Sequence, residues 1–302
     1  MIVDVKKFDA MLKEKGLTRF MLCKQAGVSS RTMAKIAKGE ELREDVVSRI
    51  ANALGVLAEA LVKKNEILVR LEQEQNAKLS GGLYHETQVR LTYNSNHIEG
   101  TRLTEDQTRF IFETKTIGAL SQDLPIDDLL ETINHFKCID YVLEHACEPL
   151  TEDCVLTLHS MLKNGTSFAT QYGAGSYKKL PNTVGGLETT APQHVAKEMR
   201  DLLARYAKLK HPTFEDLVNF HFEFETIHPF QDGNGRVGRL IFFKECLRNG
   251  FVPAYIDDRY KLEYYNGLRQ WKNERGFLVE TFRLGQDLYK RLLTYFSIPF
   301  DE

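Results

Sequence analysis

Residues 228–239 read HPFQDGNGRVGR and place a histidine, a carboxylate, two glycines around an asparagine and two arginines three apart within twelve positions. A helix beginning near Gly233 or Asn234 leaves the N–H groups of its first turn without intrahelical partners, at the positive end of the macrodipole. Glycines strip bulk from that junction, so Gly233, Asn234 and Gly235 form a seat that a polyanion can approach closely. Arg236 and Arg239 fall on one face of such a helix and can add charge-assisted bonds to phosphate oxygens. A bare Asp232 carboxylate beside phosphates is repulsive, and a Mg²⁺ ion held between them removes the conflict. His228 is the one ordinary general base of the cluster that titrates near neutrality. The set suits transfer of a phosphorus-containing group from a nucleotide to a hydroxyl. The competing reading is a common Gly-Asn-Gly turn followed by solvated arginines.

The elements that must position these groups are mostly helical. Phe214, Leu217, Val218, His221 and Phe224 recur at helical spacing, and an apolar run from Leu240 to Leu247 ends at Gly250 and Pro253. One stretch, 173–192, carries two prolines, a Gly185-Gly186 turn and interspersed Thr and Val, and reads as a β-hairpin or flap. Upstream, short helical patterns alternate with Gly16, Gly27, Gly39 and Gly55, with Thr18 and Ser29 as N-caps, so residues 1–58 form a small helix bundle. Residues 59–82 read as a helical linker and 83–302 as the larger domain. Asn134, His135 and His159 read as buried polar residues with satisfied hydrogen bonds, and Trp271 as core.

The net charge of -2 gives no global drive toward nucleic acid, but residues 1–39 carry nine Lys/Arg against three acids. Five scattered cysteines without a C-x-x-C pair suggest neither zinc nor a disulfide framework, only reduced thiols. No apolar run approaches the roughly 20 residues needed to span a bilayer, and the charged N-terminus is unlike a signal peptide. These features place the protein in the cytoplasm, away from membranes.

The stretch from His228 to Arg239 resembles the Fic-domain signature H-x-F-x-[D/E]-G-N-G-R-x-x-R at every fixed position. That resemblance implies an all-α fold: a Fic helical core with a small β-hairpin flap. It also implies adenylylation, in which AMP passes from ATP as co-substrate to a Ser, Thr or Tyr hydroxyl of a target protein. Carried over position by position, His228 deprotonates the hydroxyl, Asp232 coordinates Mg²⁺, and Gly233, Asn234, Gly235, Arg236 and Arg239 bind phosphates. Phe230 anchors the loop. The flap, 177–190, would pair with an extended piece of the target, although Lys179-Leu180-Pro181-Asn182 departs from the usual sequence. Tyr264-Tyr265 resembles an aromatic pair near the adenine, with Tyr265 as the nucleotide contact; an apolar helix face is the other reading. Asn273 sits one residue off the expected spacing.

Ser95 and Glu99 in SNHIEG resemble the inhibitory motif [S/T]-x-x-x-E-[G/N] of some Fic proteins, on a helix near 85–100. A glutamate there that pairs with Arg239 would take the place of the γ-phosphate and spoil the alignment of the α-phosphate. In some relatives the same glutamate also serves deadenylylation.

The basic segment LTRFMLCKQAGVSSRTMAKIAKGE resembles the helix-turn-helix of phage-repressor (XRE-like) regulators. That implies a helix over 29–38 entering the DNA major groove, with Ser30, Arg31, Thr32 or Met33 near base edges, Lys35 and Lys38 near phosphates, and homodimers on paired half-sites. A bundle that merely packs or dimerises is the alternative. Two functions therefore stand side by side: an autoinhibited adenylyltransferase, and a DNA-binding transcriptional regulator whose Fic domain senses nucleotide.

Overall fold

Glycine and capping signals along the chain mark off fifteen α-helices among the described residues. The computed structural model describes residues 1–63, 65–118, 123–184 and 187–300. They divide into two compact units, 1–64 and 65–302.

The first unit holds α1 (Val5–Glu14), α2 (Arg19–Ala26), α3 (Ser30–Ala37) and α4 (Glu44–Leu54). Asp4, Thr18 and Ser29 accept hydrogen bonds from the N–H groups of Lys7, Met21 and Thr32, each satisfying an orphan donor of a first turn. Phe8, Leu22, Ile36, Val47, Ile50 and Leu54 come from all four helices and close one core. An antiparallel bridge between Val3 and Val62 ties the two ends of this unit together. Met33, a candidate base contact by sequence, is buried in that core instead, because it shares the inward face of α3 with Ile36. Ser30, Arg31 and Lys38 are exposed and Lys35 half-buried.

The second unit runs α5 (Glu66–Ala77), α6 (Leu83–Ile98), α7 (Glu105–Thr114), α8 (Ile126–Glu144), α9 (Glu152–Leu162), α10 (Ser167–Tyr172), strands β1 (Thr183–Val184) and β2 (Leu187–Glu188), then α11 (Pro192–Tyr206), α12 (Phe214–Ile227), α13 (Asn234–Asn249), α14 (Lys261–Gln270) and α15 (Gly276–Tyr295). The two strands pair antiparallel, Thr183 with Glu188 and Val184 with Leu187. The Gly185-Gly186 turn expected between them lies outside the described residues.

The helix α13 is the centre of the unit: Val237, Leu240, Ile241, Phe243 and Leu247 are all buried, as befits a helix surrounded by others. It packs against α12, α8, α9 and α6. The stretch expected as a linker, 59–82, corrects to something more substantial. Ile67, Leu68 and Leu71 of α5 lie in the main core with α6 and α8, because their i, i+1, i+4 spacing makes an apolar stripe.

Candidate active site

The loop between α12 and α13 is held from three sides. His228 caps α12 in the left-handed region, φ 51°, uncommon for a residue with a side chain, and turns the chain sharply. Phe230 is fully buried and stacks on the His159 ring, 3.8 Å between centroids. His159 also bridges the loop: Nδ1 accepts from the Gly175 N–H at 2.9 Å, which leaves Nε2 to donate to the Asp232 carbonyl at 3.2 Å.

Asn234, expected as a phosphate contact, directs its side chain to the loop itself. Its Oδ1 accepts from the Phe230 N–H at 2.7 Å and its Nδ2 donates to the Phe230 carbonyl at 2.8 Å. Both side-chain groups are thereby spent on closing the loop, and only its backbone faces the seat. Gly233, at φ 83°, is the N-cap of α13, in a conformation that L side chains rarely adopt.

Over the first turn of α13 lies a carboxylate from 140 residues away. Arg239 Nη2 donates to Glu99 Oε1 at 2.7 Å, Nε donates to Ser95 Oγ at 3.0 Å, and Nη2 also donates to the Ser95 carbonyl at 2.8 Å. Glu99 caps the C-terminus of α6, so the helix end aims it at α13. A Cβ on Gly235 would overlap Glu99 Oε1, so closely does the carboxylate approach the bare backbone. Burial alone would raise the Glu99 pKa; Arg239 and Arg236 outweigh it and hold the group ionised.

Below this seat, Arg236 and Lys163 each touch both Glu131 and Asp232. Burial pushes the Asp232 carboxyl up, but Arg236 and Lys163 overcome that and hold it at about 2. Its side chain remains 49% exposed.

The His228 imidazole is pushed down to about 4, by burial first and then by the Lys178 ammonium, so it is neutral near pH 7. Its Nδ1 stands 3.7 Å from Glu225 Oε2. Burial, with Glu99 nearby, pushes the Glu225 carboxyl up to about 8. Lys178 ties the preceding segment to this loop. Its N–H donates to the Pro229 carbonyl at 2.8 Å, and its Nζ donates to Asn182 Oδ1 and Thr189 Oγ1, both at 2.6 Å. Asn182 Nδ2 donates to the Phe230 carbonyl at 2.9 Å.

Of the aromatic pair, Tyr264 is core, its hydroxyl 2.7 Å from His221 Nε2, and Tyr265 is half-buried beside it. Asn273 hydrogen-bonds locally, to Gln270. Trp271 is buried and stacks on Phe222. Asn134 donates to the carbonyls of Leu162 and Asn164 and is satisfied. His135 is satisfied on one side alone: Nδ1 meets Thr92 Oγ1 at 2.9 Å, whereas buried Nε2 has no partner among the described residues.

Sequence reasoning missed Glu131, Lys163, Lys178 and Glu225. A signal existed for two of them: Glu131 in LLETINHF and Glu225 in FHFEFETI interrupt apolar helices, where a charge needs a partner or must be neutralised. Lys163 and Lys178 follow helix ends and loops, and nothing local marks them as buried.

Comparison with known proteins finds sequence matches in both units and a shared fold. Residues 149–245 match the Fic/DOC family, and residues 7–61 match the Cro/C1-type HTH DNA-binding domain. Residues 149–245 are thus similar in sequence to a Fic domain. The protein adenylyltransferase Fic of Nematostella vectensis is 31% identical over 182 residues, 59% of this chain and 42% of that one. The protein adenylyltransferase fic-1 of Caenorhabditis elegans is 27% identical over 195 residues, 62% of this chain and 37% of that one. The matched region thus spans about two fifths of these relatives' length. A Fic domain-containing signalling protein from Bacteroides thetaiotaomicron superposes with a TM-score of 0.60 at 22% identity, over 78% of this chain and 99% of that one. The C. elegans Fic-1 fragment 134–508 gives 0.60 at 18%, over 96% and 92%. At these identities the structures share the fold of the Fic domain. No helix among the described residues is long and apolar enough to cross a membrane, and no disulfide forms among the described residues.

Proposed function

We propose that this chain is an autoinhibited protein adenylyltransferase, moving AMP from ATP to a Ser, Thr or Tyr hydroxyl of a target protein and releasing pyrophosphate. One observation carries the reading: the Glu99 carboxylate already sits at the N-terminus of α13, over Gly235 and on Arg239. A site that accepts one anion on bare backbone, a helix dipole and a guanidinium is suited to phosphate. Arg239 would exchange Glu99 for the γ-phosphate, while Gly233 and Gly235 let the remaining phosphates reach the N–H groups of the first turn. His228, neutral and only partly covered, accepts the hydroxyl proton as the oxygen attacks the α-phosphorus and the bond to pyrophosphate breaks.

Asp232 fits a Mg²⁺ ion: it is an ionised, half-exposed oxygen donor beside the seat, and Mg²⁺ takes one or two carboxylates with phosphate oxygens and water. Among the described residues no group of three or more His, Cys, Asp or Glu forms a self-sufficient metal site, so the triphosphate must supply further ligands. When bound, the ion offsets charge on the phosphates. The anchoring of Lys178 and Asn182 to the His228 loop supports a role for the flap, 177–190, in holding an extended target segment over His228. Tyr265 borders the region where the base would lie. Glu99 would also serve deadenylylation, as the base for a water that attacks the phosphorus of the modified target and releases AMP and the free hydroxyl. Five cysteines scattered without a disulfide among the described residues suit a reducing cytoplasm.

The experiment is labelling of lysate with radioactive ATP and Mg²⁺ by the Glu99→Gly protein beside Glu99→Gly/His228→Ala. Transfer in the first alone supports the proposal; no label in either removes catalysis.

The match of residues 7–61 favours a second role, DNA binding by α3 as the recognition helix, through Ser30, Arg31, Lys35 and Lys38, with the chain acting as a homodimer on paired half-sites. In that reading the Fic domain senses nucleotide and the chain regulates transcription. Salt-sensitive gel shifts on its own promoter test it; no shift at low salt overturns it.

A further inference from the structure

Two cations and two carboxylates close a ring at the base of the seat. Lys163, the C-cap of α9, touches Glu131 of α8 and Asp232 of the loop, and Arg236 of α13 touches the same two carboxylates. Lys163 is almost wholly buried, at 1%, and its stem passes directly beside the phosphate seat: a Cβ on Gly233 would lie 3.1 Å from Lys163 Cε. Its ammonium also faces the Phe168 ring at 4.7 Å. The ring is electrically neutral, and Asp232 is its one member with a large share of its side chain in solvent.

We infer that Lys163 is a positioning residue that serves as an internal counter-cation for Asp232, closing that carboxylate to a free divalent ion and yielding it only to one that arrives with a triphosphate. The inference rests on the nucleotide site proposed above. With Glu99 displaced or replaced, a divalent ion alone on Asp232 would leave two uncompensated positive charges among Lys163, Arg236 and Arg239 in a poorly hydrated site, which is costly. A triphosphate carries enough negative charge to reverse that balance. Glu131 makes the exchange possible. When Asp232 turns to the ion, Lys163 keeps its bond to Glu131, so no buried charge is stranded. Arg236 alone would not achieve this, since it belongs to the seat and would be drawn to the phosphates.

The test uses Mn²⁺ as the probe, with free ion followed by electron paramagnetic resonance, on full-length protein in the Glu99→Gly background so that nucleotide has access. With Lys163 intact, Mn²⁺ uptake should tighten about a hundredfold or more when a non-hydrolysable ATP analogue is added. Lys163→Met should raise nucleotide-free Mn²⁺ affinity about tenfold or more, Asp232→Asn should cancel that gain, and Lys163→Arg, which keeps the charge, should not show it. Equal uptake with and without the analogue when Lys163 is intact would overturn the inference even if Lys163→Met failed to fold, and so would an unmoved affinity in a folded Lys163→Met protein. Absence of analogue binding, measured separately by calorimetry, would overturn the nucleotide site itself and this inference with it; analogue binding without the Lys163 effect would sink the inference alone.

Discussion

Glu99 and Arg239, 140 residues apart in the chain, meet at 2.7 Å over the bare backbone of Gly235. The contact joins the end of α6 to the first turns of α13, so an anion that takes Glu99's place on Arg239 must break it. Side-chain exposure of 26% at Glu99 leaves it within reach of a competing anion.

Glu99→Gly should therefore increase transfer of label from ATP at least tenfold, since one charge-assisted contact is worth about 1.5–3 kcal/mol. Ser95→Ala should fall between this variant and the wild type, because it removes one of the bonds that hold Arg239 and leaves the Glu99 contact in place. Initial rates of labelling rank the three; a Ser95→Ala rate above that of Glu99→Gly would contradict the geometry.

Gly235→Ala should abolish nucleotide binding even in the Glu99→Gly background. The added methyl would occupy the space in which Glu99 Oε1 now sits, and a phosphate oxygen needs the same space. Calorimetric titration with an ATP analogue measures this, and retained affinity would place the phosphates elsewhere.

His228→Ala should eliminate transfer while nucleotide affinity changes by no more than a few fold, because the proposed role of the imidazole is to accept a proton and not to bind phosphate. With its pKa lowered to about 4, His228 should remain a competent base well below pH 6.5. A pH–rate profile of the Glu99→Gly protein should accordingly show an acid limb displaced below that of an ordinary histidine.

Stability should depend on pH from both sides. His135, His159, His221 and His228 are lowered to about 3, 4, 3 and 4, so their stabilising share is present above 6.5 and is lost as pH falls toward those values. Glu225 is raised to about 8, so its share is present below 4.5 and is lost as pH rises through 8. Between pH 6.5 and 8 the Glu225 loss approaches about 1.4 kcal/mol per pH unit. Urea unfolding across pH 5–9 should show Glu225→Gln abolishing the alkaline loss and leaving the acid loss intact.

Replacing Arg31, Lys35 and Lys38 together with alanine should weaken DNA binding and flatten its salt dependence by about 0.9 in log–log slope for each phosphate no longer neutralised. None of the three lies in the core of the first unit, so its fold, followed by circular dichroism, should persist.

The residues in 228–239 needed no neighbours to be read as a phosphate seat, since a loop-to-helix junction with glycines and arginines is a local arrangement whose chemistry follows from spacing. Capping was legible for the same reason: Thr18 and Ser29 act within three residues of their own positions. Where local patterns compete, the reading was weaker. Asn234 was assigned to phosphate, yet its side chain closes the loop on Phe230, and α5, whose charges suggested a linker, buries an apolar stripe.

The sequence alone determined that a histidine, a carboxylate, glycines and arginines crowd one loop-to-helix junction at residues 228–239, because that information lies in consecutive side chains and in the free N–H groups of one helix turn. Only the tertiary structure decided which distant groups stand against that turn: Glu99 above it, the Lys163 and Glu131 pair beneath it, Lys178 and Glu225 on either side of His228. Their ionisation depends on burial and on charges brought from other helices, and chain packing creates both.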